Sequence, residues 1–97
     1  MSAYVIGHVT VQSPEGYSDY TKQVPATLAP HGGEFIVRGG RTTVLEGEMP
    51  QDRHVVIRFP DRAAAEAWYG SPEYQEIIAI RQAHSTGVLM IVDGFEP

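Results

Sequence analysis

An arginine lies on the apolar face of a helix that the sequence predicts near the end of the chain. The segment PEYQEIIAIR spans residues 72–81, and its Tyr74, Ile77, Ile78 and Arg81 are spaced i, i+3, i+4 and i+7, as on one side of a helix. At about 100° per residue, Arg81 falls between the two isoleucines. A guanidinium group in that position is costly to bury unless it is paired or hydrogen-bonded.

Two interpretations of Arg81 follow from this position. In the first its role is structural: the side chain pairs with a carboxylate such as that of Glu46, or extends past the helix end into solvent. In the second it is an anion anchor in a pocket between the helix and a sheet, where it holds a substrate carboxylate or enolate. The residue pattern favours the structural role and leaves the anchor open.

Two histidines are candidates for proton transfer. His54 begins a predicted strand, on the same side as Val56 and Arg58. Imidazole is the side chain best suited to carry a proton near neutral pH, so His54 is the candidate base for an enolisation or isomerisation. A hydrogen-bonded histidine at a subunit interface is the simpler alternative. His8 also points to a face of the sheet. The two histidines approach each other if they lie on the same face of adjacent strands, and the residue pattern leaves open which face each one uses.

Aromatic and cationic side chains complete the candidate binding site. Trp68, Tyr69 and Tyr74 cluster where the second helical region is interrupted, and they form either core packing or one wall of a flat, apolar small-molecule pocket. Arg41 follows a pair of glycines, a pattern that lets the backbone approach a ligand and that also occurs in exposed turns. The histidines lack the HxH and HxxxH spacings of metal sites, and no nucleotide-binding glycine motif is present, so we expect neither metal nor cofactor.

The composition limits the classes of protein to consider. The chain has 97 residues, 42% of them hydrophobic, and a formal net charge of −5, so we expect one globular domain over residues 1–97. Lys22 is the only lysine and the arginines form no cluster, which argues against a nucleic-acid partner. There is no cysteine, no apolar stretch long enough to span a membrane and no basic segment at the start, so we expect a cytoplasmic protein without membrane contact.

The pattern of apolar residues and turn formers predicts six elements. Four segments have the β-branched composition of strands, namely 4–11, 34–38 with a continuation through 42–46 after a glycine bulge, 53–59 and 88–92. Two regions have helical spacing, namely 14–31 with a kink at Pro25, and 62–84 with an interruption at Gly70. The first helical region carries Tyr17 and Tyr20 on its apolar stripe, as core residues or as the opposite wall of the pocket.

This β-α-β-β-α-β order predicts an α+β, ferredoxin-like protomer with a four-stranded antiparallel sheet. Right-handed connections place the first and third strands at the centre. Two helical regions cover only one face of such a sheet, and the other face is too apolar for water because Ile6 and Val56 point towards it and the last strand is apolar on both sides. We therefore expect a homodimer that packs sheet against sheet.

Several motifs along the chain resemble those of a known family. They are Gly39-Gly40-Arg41, Leu45-Glu46-Gly47, residues 55–60 (VVIRFP) and residues 67–75 (AWYGSPEYQ). Together they are similar to the small bacterial family known as domain of unknown function 1330, within the dimeric α/β-barrel superfamily, over essentially the whole chain. The resemblance implies a ferredoxin-like protomer and a barrel-forming homodimer.

The resemblance implies no particular activity. Relatives in the superfamily include cofactor-free antibiotic-biosynthesis monooxygenases, isomerases similar to muconolactone isomerase, and haem-binding members, and a shared fold does not transfer their chemistry. This chain also departs from the family at Arg58, where an acidic residue is common, so any role of that acid is in doubt here.

Two hypotheses on function follow. The first is a cofactor-independent enzyme of oxygenase or isomerase type that acts on a small anionic or aromatic metabolite, with His54 as base and Arg81 as anion holder. The second is a non-catalytic dimeric module for small-molecule binding or stress response, in which the polar interior residues only fix the assembly. The observation that separates them is whether Arg81 faces a cavity or pairs with a protein carboxylate.

Overall fold

The computed structural model describes residues 1–96 of the chain. The elements follow the predicted order and are β1 (Ala3–Val11), α1 (Pro14–Thr21), α2 (Val24–Leu28), β2 (Glu34–Arg38), β3 (Arg53–Phe59), α3 (Arg62–Tyr69), α4 (Pro72–His84) and β4 (Ser85–Asp93). A single turn of 3₁₀ helix, Ala29–His31, extends α2. None of the helices within these residues has the length and apolar character of a membrane span.

The strands form one sheet in the order β2-β3-β1-β4, and every neighbouring pair is antiparallel. The predicted central position of the first and third strands is therefore confirmed. All helices pack on one face of the sheet, and the chain has the ferredoxin-like α+β fold.

Side-chain caps fix where the helices begin. Asp61 accepts a hydrogen bond from the backbone N–H of Ala64 at 2.7 Å and starts α3. Ser71 starts α4 by accepting from the N–H of Tyr74, while its own hydroxyl donates to the carbonyl of Trp68 at 2.7 Å. The predicted interruption between the two helices is thus a hydrogen-bonded joint, and the predicted bounds 62–69 and 72–84 are confirmed.

Pro25 breaks the first helical region earlier than its own position. Proline clashes with the carbonyl four residues before it, which belongs to Thr21, and α1 ends at that residue. The chain restarts as α2 at Val24. Gly32 then ends the region in the left-handed conformation, with φ of 71°, which glycine adopts without strain.

Two predictions about the strands are wrong. The predicted continuation of β2 through residues 42–46 does not form, because the chain turns away at Gly39, whose φ is 68°, and residues 39–50 are exposed without strand pairing. The irregularity of β2 lies instead between Phe35 and Val37. Gly87 does not delay the last strand: β4 begins at Ser85, and Gly87 pairs with Val9.

A buried aromatic group joins the helices to the sheet. The Trp68 ring lies 4.1 Å from the Tyr74 ring and 5.6 Å from Phe59, measured between centroids, and all three side chains are at most 1% exposed. The indole N–H donates to the hydroxyl of Thr27 at 3.0 Å, and that hydroxyl donates to the carbonyl of Val24 at 2.7 Å. The largest side chain of the core is therefore both packed and hydrogen-bonded.

We expect Thr27→Val to lower the free energy of unfolding by about 1–3 kcal/mol, because it leaves the buried indole N–H of Trp68 without an acceptor at nearly constant volume. Thr27→Ser, which keeps the hydroxyl, is the matched control. Urea unfolding at one fixed protein concentration measures both variants. A valine variant as stable as the serine variant would show that the hydrogen bond contributes little.

Candidate functional site

A narrow pocket lies between the helix-covered face of the sheet and helices α1 and α4. The pocket has about 420 Å³ of empty space when its open side is included, and its enclosed part has room for about two water molecules. Its walls are mostly apolar. They consist of Val9, Tyr17, Tyr20, Thr21, Val24, Phe35, Arg38, Arg53, Val55, Ile57, Trp68, Arg81 and Leu89.

Three arginines line this one pocket. Arg53, at the start of β3, shares the helix-covered side with Val55, and its guanidinium carbon lies 5.6 Å from the centre of the Tyr17 ring. Arg38, at the end of β2, donates to the carbonyl of Thr21 at 2.8 Å. Arg81 enters from the last turn of α4. No carboxylate or imidazole is among the described residues that line the pocket, so its polar character is cationic.

The three pocket arginines lack ionic partners. Among residues 1–96, the ion pairs of cationic side chains join Lys22 to Asp19, Arg58 to Glu34, and Arg62 to Glu66 and Asp93. None of these pairs involves Arg38, Arg53 or Arg81. Glu46, the suggested partner of Arg81, lies in the exposed segment 39–50 instead.

Two atoms in the pocket wall are buried without a hydrogen-bond partner. They are the Nε atoms of Arg53 and Arg81, and no other side-chain nitrogen or oxygen in the described part of the chain has this property. Buried polar groups in proteins are nearly always hydrogen-bonded, and an exception calls for an explanation such as a bound water, an ion or a functional role. Both exceptions within residues 1–96 belong to the same pocket.

A pair of tyrosine hydroxyls lies behind Arg81. The hydroxyl oxygens of Tyr20 and Tyr74 are 2.8 Å apart, and both residues are buried. Burial raises the pKa of both phenols above the usual value, and for each of them the Arg81 guanidinium acts in the opposite direction. Tyr20 lines the pocket, whereas Tyr74 is fully covered. Both hydroxyls therefore stay protonated at ordinary pH and cannot act as bases there.

The two histidines do meet, but on the other face of the sheet. His8 and His54 are directly opposite each other in β1 and β3, and their Nδ1 atoms are 2.9 Å apart. Because neighbouring residues of a strand alternate in direction, His54 points away from the helices while Arg53 points towards them. The sheet thus separates His54 from Arg81, and we revise the hypothesis that both serve one pocket in the same protomer.

The remaining candidates are distributed unevenly. Trp68 lines the pocket and Tyr74 packs behind it, but Tyr69 is 40% exposed and lies outside it. Arg41 is exposed in the segment 39–50 and does not reach the pocket. No group of three or more histidine, cysteine or acidic side chains is placed for a metal ion within residues 1–96.

Sequence reasoning missed two of the three pocket arginines. Arg53 could have been predicted from the sequence, because it lies on the same side of its strand as Val55 and Ile57, and this apolar side faces the helices. Arg38 had none, because the irregularity between Phe35 and Val37 shifts the alternation of β2 by one residue.

The fold and the pocket define the class of the protein: a ferredoxin-like α+β domain with a cationic pocket under its helices. The sequence matches the family described as domain of unknown function (DUF1330) over residues 2–95, and the chain belongs to this family. None of the curated proteins matches it.

Solved structures share the fold at low sequence identity. A protein of unknown function from Rhodopseudomonas palustris is 20% identical, with a TM-score of 0.79 over 99% of this chain and 84% of its own. A dimeric ferredoxin-like protein of unknown function from Jannaschia sp. CCS1 is 20% identical, with a TM-score of 0.66 over 99% and 100%. SnoaB, a cofactor-independent oxygenase from Streptomyces nogalater, is 16% identical, with a TM-score of 0.64 over 99% and 95%.

The buried tyrosine pair predicts a loss of stability at alkaline pH. Above about pH 10, the ordinary pKa of tyrosine, the unfolded chain releases phenolic protons that folded Tyr20 and Tyr74 retain, so the free energy of unfolding falls as pH rises. Each residue contributes a slope of up to about 1.4 kcal/mol per pH unit. Urea unfolding between about pH 9 and pH 11 measures this slope, and Tyr20→Phe is expected to reduce it. An unchanged slope would contradict the burial argument.

Proposed function

We propose that the protein binds a small organic anion with an apolar ring, and that the pocket stabilises the enolate or phenolate form of this ligand. The observation that carries the proposal is the convergence of Arg38, Arg53 and Arg81 on one apolar pocket without an ion pair to any side chain of residues 1–96.

The electrostatics support an anionic ligand. The chain has a net charge of −5, so acidic side chains outnumber basic ones, and the surface cations Arg58 and Arg62 form ion pairs with them. A cation whose role is only structural is best satisfied by such a pair. Charges attract more strongly next to apolar walls than in water, so three unpaired guanidinium groups around one space favour an anion there.

The shape supports a flat ligand of modest size. The enclosed free space is smaller than in a typical small-molecule pocket, and Tyr17, Trp68 and Phe35 offer ring faces and edges. The ligand-free pocket has room for only about two waters. We therefore expect a single-ring ligand to displace this water and to push the Arg38 side chain, which is exposed, outwards.

The chemistry supported by this site is stabilisation of a carbanion or oxyanion. Enolates and phenolates are the species that oxygenase-type and isomerase-type reactions without a cofactor must form, and guanidinium groups lower the pKa of such ligands. The described pocket lining supplies no imidazole or carboxylate, so in this proposal the ligand loses its proton to solvent instead of to His54. SnoaB, which shares the fold at 16% identity, is described as a cofactor-independent oxygenase, and this similarity supports the proposal.

We also propose that the protein is a homodimer that packs through the sheet face opposite the helices. This face carries Ile6 and Val56 at its centre, and Val88, Met90 and Val92 beside them are 40–50% exposed. An apolar face of this kind is unfavourable in water, and a second copy of the same sheet covers it. The Jannaschia relative is described as dimeric, which supports a dimer.

The anion proposal predicts that Arg81→Gln and Arg53→Gln each weaken the binding of small phenols and aromatic carboxylates about tenfold or more, because each removes a charge-assisted hydrogen bond. Arg41→Gln, with the same change of charge outside the pocket, is expected to bind like the wild type. Calorimetric titration with benzoate and 4-nitrophenol provides the measurement.

The outcomes separate the alternatives. Equal weakening by Arg41→Gln would assign the effect to overall charge, and no binding of either compound to the wild type would refute the proposal. Oxygen uptake or isomerisation of a bound phenol or enol identifies an enzyme. Binding without any turnover across a panel of such compounds identifies the non-catalytic binding module.

For the dimer, sedimentation equilibrium is expected to give twice the protomer mass of 10.7 kDa for the wild type. Val56→Glu places a charge at the centre of the uncovered face and is expected to give a folded protomer of single mass. Ala63→Glu, on the exposed surface of α3, is the control and is expected to stay dimeric. A wild type that sediments as a protomer at micromolar concentration would exclude this interface.

A further inference from the structure

The direction of the hydrogen bond between Tyr20 and Tyr74 follows from burial. The two hydroxyls carry two protons, and one proton occupies the 2.8 Å contact between them. Tyr74 is 0% exposed, and two groups contact its hydroxyl: the Tyr20 hydroxyl, which can accept a hydrogen bond, and the Arg81 guanidinium, which can only donate one. If Tyr20 donated, the Tyr74 proton would be buried without an acceptor, at a large cost. Tyr74 is therefore the donor.

The Arg81 cation supports the same direction. Its guanidinium group lies close enough to Tyr74 to oppose the rise of that phenol's pKa. A neighbouring cation attracts the oxygen of a hydroxyl group and turns its proton away. The Tyr74 oxygen thus faces Arg81, and its proton faces Tyr20.

From this geometry we infer that the Tyr20 hydroxyl donates a hydrogen bond to the anionic oxygen of the ligand, in the pocket that Arg81 also lines. Tyr20 accepts from Tyr74, so its own proton is free, and its side chain lines the pocket. The inference rests on the proposed function and narrows its ligand class to compounds whose charge is on a single ring-attached or enolic oxygen.

The chain of donors has a consequence for affinity. A hydroxyl that accepts one hydrogen bond becomes a better donor of the next, so Tyr74 strengthens the donation by Tyr20. Both phenols keep their protons at ordinary pH, so neither can take a proton from the ligand. The Tyr20 hydroxyl and the Arg81 guanidinium therefore favour a ligand that is already deprotonated over its neutral form.

The test uses 4-nitrophenol, whose absorbance reports its ionisation, with 4-nitroanisole as a probe of the same shape that lacks the acidic oxygen. On the wild type we expect the bound 4-nitrophenol to ionise at a lower pH than the free compound. We expect Tyr20→Phe to weaken the binding of 4-nitrophenol by about tenfold to a hundredfold. We also expect the bound compound to ionise at a pH closer to that of the free compound than it does on the wild type. Binding of 4-nitroanisole is expected to stay the same in this variant, which excludes a general packing defect.

One further variant tests the direction of the hydrogen bond, and another is a control. The control is Tyr69→Phe, which removes a hydroxyl outside the pocket and is expected to leave the ionisation of bound 4-nitrophenol unchanged. Tyr74→Phe is expected to weaken binding slightly, because Tyr20 loses the group that strengthens it as a donor. If Tyr20 instead donates to Tyr74, Tyr74→Phe frees the Tyr20 proton and tightens binding, which would overturn the inference.

The failure of this inference differs from failure of the proposed function. Binding that depends on Arg81 but is unchanged in Tyr20→Phe overturns only the role of Tyr20. Absence of 4-nitrophenol binding to the wild type, with benzoate still bound in an Arg81-dependent way, overturns the preference for a single oxygen. Absence of binding of both compounds overturns both proposals.

Discussion

The packing of Trp68 against Tyr74 is the contact on which the rest of the protomer depends. The indole joins three layers, because it meets Phe59 of the sheet, Tyr74 of α4 and, through its N–H, Thr27 of α2. The Ser71 cap holds the carbonyl of Trp68 and the N–H of Tyr74 in one joint, so the two rings cannot separate without loss of the helix start. The same contact sets one wall of the pocket and the position of the Tyr74 hydroxyl.

The alternation of side chains along two central strands divides the polar residues of this protein into two separate groups. Arg53 and His54 are neighbours in sequence, yet one faces the helices and the other faces the open side of the sheet. The helix side holds cations around a small pocket, whereas the open side holds a hydrogen-bonded histidine pair within an apolar surface. Since one residue of register would exchange the two groups, the pairing of β1 with β3 determines both the candidate site and the candidate interface.

The parts of the fold that could be predicted are those controlled by local chemistry. The caps at Asp61 and Ser71 and the proline at the start of α4 give helix bounds that the structure confirms. The strand predicted at residues 42–46 failed because β-branched composition does not ensure a pairing partner, and Gly39 turns the chain away from the sheet edge.

The candidate site was less accessible to sequence reasoning. Arg81 could be placed on an apolar face by helical spacing alone, because one helix fixes that geometry. Its grouping with Arg53 and Arg38 depends on which faces of three separate elements meet, and the irregularity within β2 removes the alternation that would have shown it for Arg38. The hypothesis that His54 and Arg81 share one site combined a strand residue with a helix residue. The sequence did not show which face of the sheet His54 lies on.

The pocket arginines also bear on the balance between stability and binding. Their aliphatic stems add to the apolar wall, so the fold gains packing from the same residues whose charged ends have no ion pair within residues 1–96. A buried Nε atom without a hydrogen bond is unfavourable in the ligand-free protein, and an anion that supplies the missing acceptor removes this unfavourable term on binding. Donors that are already oriented and poorly solvated need little reorganisation when the anion arrives, which is the condition under which charge stabilisation is strongest. In the proposed function, the ligand supplies the acceptors that the Nε atoms of Arg53 and Arg81 lack within residues 1–96.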